Sequence, residues 1–435
     1  MDPLTIGIIG IVVALLLIGA RVPIGLALGA TALIGIAEIV GWRAALGFLG
    51  TMPFEFAANW SLSAIPMFLL MGTIAYQSGM TNSLYSAARL WLGFLPGGLA
   101  VATNFACAGF AAASGSSLAT TVAMGRIAIP EMKRYGYDDG LATAVCACSG
   151  TLGILIPPSI LMVVYGVFAE QSIAKLFVAG ILPGILTAVL YAVMIVTRCV
   201  VSPSLAPRAT EPATRAEKFQ ALAEIWPLPL LIIGVMGSIY GGVATPTEAG
   251  ALGAFIALII AAFQRRLTWK VLKDSVFEAV QATTVIFFVA IGAVLLAKFM
   301  ALSGVPHYFA DFLGVWSLDP VLLLIGTSLI FLVLGMFLDP LGMLLLTLPV
   351  LLPMFEQAKI DMIWFGILFT KYVEIGLITP PVGLNVYGVK TVVGPDVPLE
   401  TIFKGVAWFL ATEIVVVGLL IAFPEISLFL PSLMD

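Results

Sequence analysis

Ser149-Gly150-Thr151-Leu152-Gly153-Ile154-Leu155-Ile156-Pro157-Pro158-Ser159 lies inside a long apolar stretch that would otherwise read as one helix. Glycine loosens the backbone and each proline removes an N–H donor, so a helix must break there and leave carbonyls without partners. A second stretch repeats the break: Glu374-Ile375-Gly376-Leu377-Ile378-Thr379-Pro380-Pro381-Val382-Gly383-Leu384-Asn385. The two Pro-Pro pairs are 223 residues apart, and the same offset lays Pro130 on Pro353, Asp138 on Asp361, Gly153 on Gly376 and Ser116 on Asp339. The chain reads as two similar units in tandem.

Around these breaks the composition belongs to a bilayer. Of 435 residues, 61% are hydrophobic and 10% charged, against about 25% charged in soluble proteins. Stretches such as Pro3 to Ala20 carry no charge and are long enough to cross a hydrocarbon core. A soluble enzyme and a nucleic-acid binder are excluded. Met1-Asp2-Pro3 lacks the basic start of a cleavable signal, so the first apolar helix is expected to stay. Cys107, Cys146, Cys148 and Cys199 fall in apolar segments without a CxxC spacing and read as small packing residues.

Apolar runs and breakers place spans near 4–20, 22–40, 62–78, 141–168, 173–199, 226–242, 246–264, 275–303, 362–390 and 402–423. Two further apolar stretches, 96–134 and 319–357, are interrupted at Ser114-Gly115-Ser116-Ser117 and at Asp339-Pro340-Leu341-Gly342 and read as re-entrant hairpins. With that assignment 14 basic residues, among them Arg208 and the run Arg265 to Lys273, fall on the cytoplasmic side, and only Arg43, Lys175 and Lys359 fall outside. Both termini are then external, and the two hairpins enter from opposite faces. The expected fold is an all-α integral membrane protein built from two inverted repeats with re-entrant hairpins and broken helices. Its expected parts are N-terminal scaffold helices over 1–60, a transport repeat over 61–170, scaffold helices over 171–274 with a cytoplasmic linker at 202–224, a second transport repeat over 275–390, and a C-terminal scaffold helix over 391–435.

Interrupted helices in inverted repeats are the architecture of secondary transporters, whose sites form where the breaks meet. Non-helical backbone cannot face lipid, so it must line a cavity or bind something. Carbonyls and hydroxyls are hard oxygen ligands suited to Na⁺, and half-helix N-termini suit a carboxylate. Close helix packing is the other use of a Gly/Ser patch, and the paired breaks favour ligand contact over it. Lys371 and Glu374, spaced i,i+3, read as an ion pair or as transport residues. Asp339 reads as a helix cap or as a charge beside a cation, Arg126 as a residue snorkelling to headgroups, and His307 as a surface residue of an outer loop. No GxxxxGK[ST] occurs, so the energy must come from an ion gradient or a partner. An intramembrane protease using Ser116 or Ser117 lacks a base within the membrane, and two closed pockets argue for alternating access over a channel.

Ser114-Gly115-Ser116-Ser117-Leu118-Ala119-Thr120, Ile129-Pro130-Glu131-Met132, Gly136-Tyr137, Gly150-Thr151-Leu152-Gly153, Ile156-Pro157-Pro158-Ser159, Pro246-Thr247-Glu248-Ala249-Gly250-Ala251 and Thr379-Pro380-Pro381-Val382-Gly383-Leu384-Asn385 together resemble the large permease subunit, DctM type, of tripartite ATP-independent periplasmic (TRAP) transporters. The resemblance covers nearly the whole chain. It implies an importer rather than an enzyme: a Na⁺-driven, elevator-type protein of the ion-transporter superfamily in the bacterial inner membrane, carrying small organic acids. Na⁺ is the coupling ion and no other cofactor or transition metal is implied. The implied partners are a small membrane subunit (Q type) and a periplasmic solute-binding protein (P type). Some family members fuse the small subunit to the large one; this chain has no extra N-terminal spans, so a separate partner is expected. Carried over by position, one Na⁺ site would draw on Ser114, Gly115, Ser116, Ser117, Gly150, Thr151, Gly153 and Pro157. The other would draw on Asp339, Gly342, Gly376, Thr379, Pro380 and Gly383, with Ser159 and Asn385 as weaker substrate-facing candidates. A stand-alone ion-coupled carboxylate transporter is the alternative, and C4-dicarboxylates, keto acids, sialic acids and ectoine-like solutes stay open as substrates.

Overall fold

The computed structural model describes residues 2–207, 214–306, 308 and 320–434; Arg208, His307 and the expected start of the second hairpin at 319 lie outside the described residues. Among the described residues the chain is helical throughout, without a strand. α1 (Pro3–Gly19) and α2 (Ile24–Val40) match the first two expected spans. α3 (Trp42–Ala57), inside the expected N-terminal scaffold but outside the expected spans, is a helix that meets the segment leading into α4 (Ala64–Gln77) at a bend of 56°. α5 (Met80–Leu92) is likewise helical, with Met80, Leu84, Tyr85 and Ala88 at helical spacing but in a run too short to register as a span.

The first hairpin is α6 (Gly98–Ser114) and α7 (Ser117–Arg134); the first broken helix is α8 (Asp139–Gly150), a tight turn over Thr151–Ile154, and α9 (Ile160–Phe168). α10 (Ile173–Val201) follows. The expected linker at 202–224 contains α11 (Arg215–Glu224), started by a capping box between Thr214 and Glu217. It docks on α5, where Trp91 Nε1 donates to the Lys218 carbonyl at 3.1 Å. α12 (Pro227–Tyr240), α13 (Pro246–Phe263) and the 35-residue α14 (Trp269–Ser303) lead to the second hairpin, α15 (Pro320–Gly335) and α16 (Pro340–Gln357). The second broken helix is α17 (Met362–Ile378) and α18 (Leu384–Val393), followed by α19 (Leu399–Ala422) and α20 (Glu425–Ser432). Each expected crossing coincides with a helix or a broken pair, and α10, α13, α14, α16 and α19 are each long and apolar enough to cross a membrane alone.

The repeat survives at the level of helix ends. α7 and α16 begin and end at the same offset, Ser116 and Asp339 cap them, Asp138 and Asp361 cap α8 and α17, and Pro157-Pro158 and Pro380-Pro381 are both cis. The packing is reciprocal as well: α7 lies on α18 while α16 lies on α9, and α8 lies on α19 while α17 lies on α10. Each unit gives the other the contacts it receives, which is what a two-fold relation produces.

α10 packs on α20, α19, α6, α17 and α9, and α19 packs on α8, α10 and α17. Elsewhere α14 packs on α2, α4 and the hairpin helix α16, α4 packs on α13, and α5 packs on α6. Lipid offers no hydrophobic force between helices, so such crossings depend on close van der Waals approach. At α2 and α14 the backbones come so near that a Cβ on Gly292 would lie 2.3 Å from the Gly25 carbonyl oxygen.

Candidate functional site

The first hairpin tip is seated on the first break. Gly115 ends α6 in the left-handed region (φ 61°), and a Cβ there would lie 2.8 Å from the Pro158 carbonyl oxygen. From the other side, a Cβ on Gly153 would lie 2.6 Å from the Ser116 carbonyl oxygen. Ser114 Oγ pairs with Thr120 Oγ1 at 2.7 Å, and Ser116 caps α7 by accepting from the Ala119 N–H at 3.4 Å. Gly150 presses on Thr121, and Thr151 Oγ1 donates back to the Cys148 carbonyl at 2.7 Å. The carbonyls of Pro157 and Pro158 receive no hydrogen bond among the described residues. The eight positions assigned to a first cation site thus lie in one contact zone containing free oxygens, with Ser116 half-buried and the other seven buried.

The second unit is built alike but held differently. Gly335 at the end of α15 meets Gly376 in the last turn of α17, where a Cβ on Gly376 would lie 2.7 Å from the Gly335 Cα. The Asp339 carboxylate accepts from the Gly342 N–H at 3.0 Å, so it does cap α16. Thr379 Oγ1 donates to the Ile375 carbonyl at 2.6 Å, and Gly383 starts α18 in the left-handed region. No hydrogen bond joins 339–342 to 376–383 among the described residues. Pro157 and Pro158 are buried, whereas Pro380 and Pro381 are exposed.

Neither weak substrate candidate faces open space. Ser159 is fully buried; its Oγ donates to the Ile154 carbonyl at 2.5 Å and accepts from Met162 as the cap of α9. Asn385 is also fully buried, and its amide donates to Ser117 Oγ at 2.7 Å and to the Ala147 carbonyl at 3.0 Å. A residue of the second break therefore ties the first tip to α8. Its Oδ1 has no partner among the described residues.

Lys371 and Glu374 pair with each other, as their spacing suggested, but within a larger cluster. Lys371 Nζ also lies 2.7 Å from Glu413 Oε2 on α19 and donates to Thr187 Oγ1 on α10 at 3.2 Å, while Tyr191 on α10 donates to Glu413. Lys371, Glu374, Glu413, Thr187 and Tyr191 are all fully buried. The cluster fastens α10, α17 and α19 together. Glu413 escaped the sequence reading although a lone acid within Trp408-Phe409-Leu410-Ala411-Thr412-Glu413-Ile414-Val415 is the signal to look for. Asn104 escaped it too; it accepts from Ser149 Oγ at 2.8 Å and donates to the Ala188 carbonyl at 2.8 Å. All four cysteines are buried free thiols.

Comparison with known proteins agrees with this architecture. The family model for the DctM component of tripartite ATP-independent periplasmic transporters matches residues 9–426. The C4-dicarboxylate TRAP transporter large permease protein DctM of Pseudomonas aeruginosa is 35% identical over 380 residues, covering 87% of this chain and 88% of that protein. The ectoine TRAP transporter large permease protein TeaC of Halomonas elongata is 33% identical over 432 residues, covering 97% of each. Among solved structures, the crystal structure of the Alcanivorax borkumensis YdaH transporter aligns with a TM-score of 0.64 over 96% of this chain and 98% of that one, at 16% identity, and shares the fold. Family members are transporters, not enzymes. A match over nearly the full length, to a family whose relatives carry different solutes, makes this chain a member of the DctM large-permease family of TRAP transporters.

Proposed function

We propose that this chain couples Na⁺ influx to uptake of a small carboxylated solute across the bacterial inner membrane, with both termini periplasmic. It works with a small membrane subunit and receives solute from a periplasmic binding protein. What carries the reading is the first tip seated on the first break, with the Pro157 and Pro158 carbonyls left free beside buried hydroxyls. Such an oxygen-rich, negatively polarised locus suits a hard monovalent cation. The second unit supplies the other cation locus, around Asp339, Gly342, Gly376, Thr379, Pro380 and Gly383. Transport moves the hairpins, broken helices, α10 and α19 as one body against α1–α4 and α11–α14. The buried ionic cluster and the reciprocal packing favour including α10 and α19 in that body.

In proteoliposomes holding both membrane subunits and supplied with the loaded binding protein, collapsing the Na⁺ gradient is expected to reduce uptake to background. Uptake indifferent to Na⁺ would sink the coupling. Asp339→Asn separates capping from charge, because asparagine caps as well as aspartate does. The expected result is unchanged thermal stability with a higher Na⁺ concentration needed for half-maximal uptake. An unaltered Na⁺ dependence would leave Asp339 a cap only.

A further inference from the structure

Ser159 and Asn385 are enclosed and line no open space for a solute. Between the first hairpin and the α4/α14 wall lies a cavity of about 470 Å³, reaching from the tip residue Ser116 to Arg126 on α7. Its far wall presents Thr73, Tyr76 and Gln77 of α4 and Glu278 of α14. Arg126 is an exposed residue of the cavity wall, without a carboxylate partner among the described residues. Glu278 is held by Gln77 Nε2 at 3.3 Å and has no cationic partner among the described residues. Charged side chains within membrane helices face a water-filled path or a ligand. Here two opposite charges line one cavity and do not pair with each other.

The geometry points to this cavity as the seat of a monocarboxylate that also carries a hydroxyl or ammonium donor, with the carboxylate on Arg126 and the donor toward Glu278. Guanidinium offers a two-pronged match to a carboxylate. Ser116 and Tyr76 supply neutral hydrogen-bonding groups along the solute. A C4-dicarboxylate fits poorly: its second carboxylate would face Glu278, in a cavity whose two ionised side chains sum to zero. Arg126 and Glu278 thereby set which solute class is accepted. This inference rests on the proposed uptake of a carboxylated solute and adds its class.

The test measures ligand-induced shifts of the unfolding midpoint, which report affinity by mass action. The full chain, purified with its small membrane subunit, is titrated with gluconate, L-proline and succinate. Wild type is expected to be stabilised by gluconate or L-proline and little by succinate. Arg126→Gln should weaken the monocarboxylate response roughly tenfold or more, the scale of a lost charge-assisted hydrogen bond, and Arg126→Lys should keep part of it. Glu278→Gln should raise the response to succinate relative to the others. Ligand-free midpoints of the variants report whether each is folded. The inference is overturned if succinate outranks both monocarboxylates, if neither monocarboxylate stabilises the wild type, or if folded Arg126→Gln and Glu278→Gln leave the ranking unchanged. These selectivities are equilibrium quantities, so a failure of Na⁺ coupling in the uptake assay would not alter them.

Discussion

Gly153→Ala is expected to abolish Na⁺-driven uptake in a protein that still folds. The added methyl would lie 2.6 Å from the Ser116 carbonyl oxygen, 2.8 Å from the Ser116 carbonyl carbon and 3.0 Å from the Ser117 nitrogen. All three are backbone atoms, so no rotamer change relieves the clash and the tip must lift from the break. Overpacking of this kind costs about 1–3 kcal/mol, which a large helical protein tolerates. The free carbonyls and the hydroxyls of the first site, however, would no longer converge. Gly47→Ala is the control: nothing lies within 4 Å of its added methyl, and uptake should be unaffected. Ser116 replaced by a bulky apolar residue should act like Gly153→Ala. Normal uptake by the Gly153 variant would show that the seating of tip on break has no part in transport.

Lys371→Met should produce the largest loss of stability. It leaves the Glu374 and Glu413 carboxylates fully buried with no cation beside them. Breaking a buried pair by removing one partner costs about 3–5 kcal/mol, whereas replacing the whole group is often nearly neutral. The triple variant Lys371→Met, Glu374→Gln, Glu413→Gln is therefore expected to recover most of the unfolding midpoint that the single variant loses. If the single variant unfolds at the wild-type temperature, the cluster does not fasten α10 to α17 and α19.

What the sequence made legible was local. Proline and glycine act on their own stretch of backbone, so the breaks at 150–159 and 376–385, the tips at 115 and 339, and the shared offset could all be read from spacing. Helices outside that pattern were harder. α3, α5 and α11 carry too much polarity or too little length to register as spans, and their helicity shows only in packing. Partners distant along the chain were not legible at all: nothing in the local sequence of Glu413 names Lys371, and nothing around Asn385 names Ser117. The unequal exposure of the two Pro-Pro pairs has the same origin. Similar residues in similar frames take different surroundings from whichever helices pack over them.

The bond from Asn385 to Ser117 also bears on how the molecule is made. The first tip and its break are complete as sequence once residue 159 has been synthesised, yet the side chain that ties the tip to α8 arrives 226 residues later than the break's last residue. Lys371 and Glu413 come later than Tyr191 in the same way. The growing chain must therefore keep an unfinished hairpin and an unanswered tyrosine hydroxyl in the bilayer until its last helices insert. Ribosomal elongation at about 5–20 residues per second makes that interval on the order of ten seconds or more. Assembly of the first half is in this sense a late event for residues that were translated early.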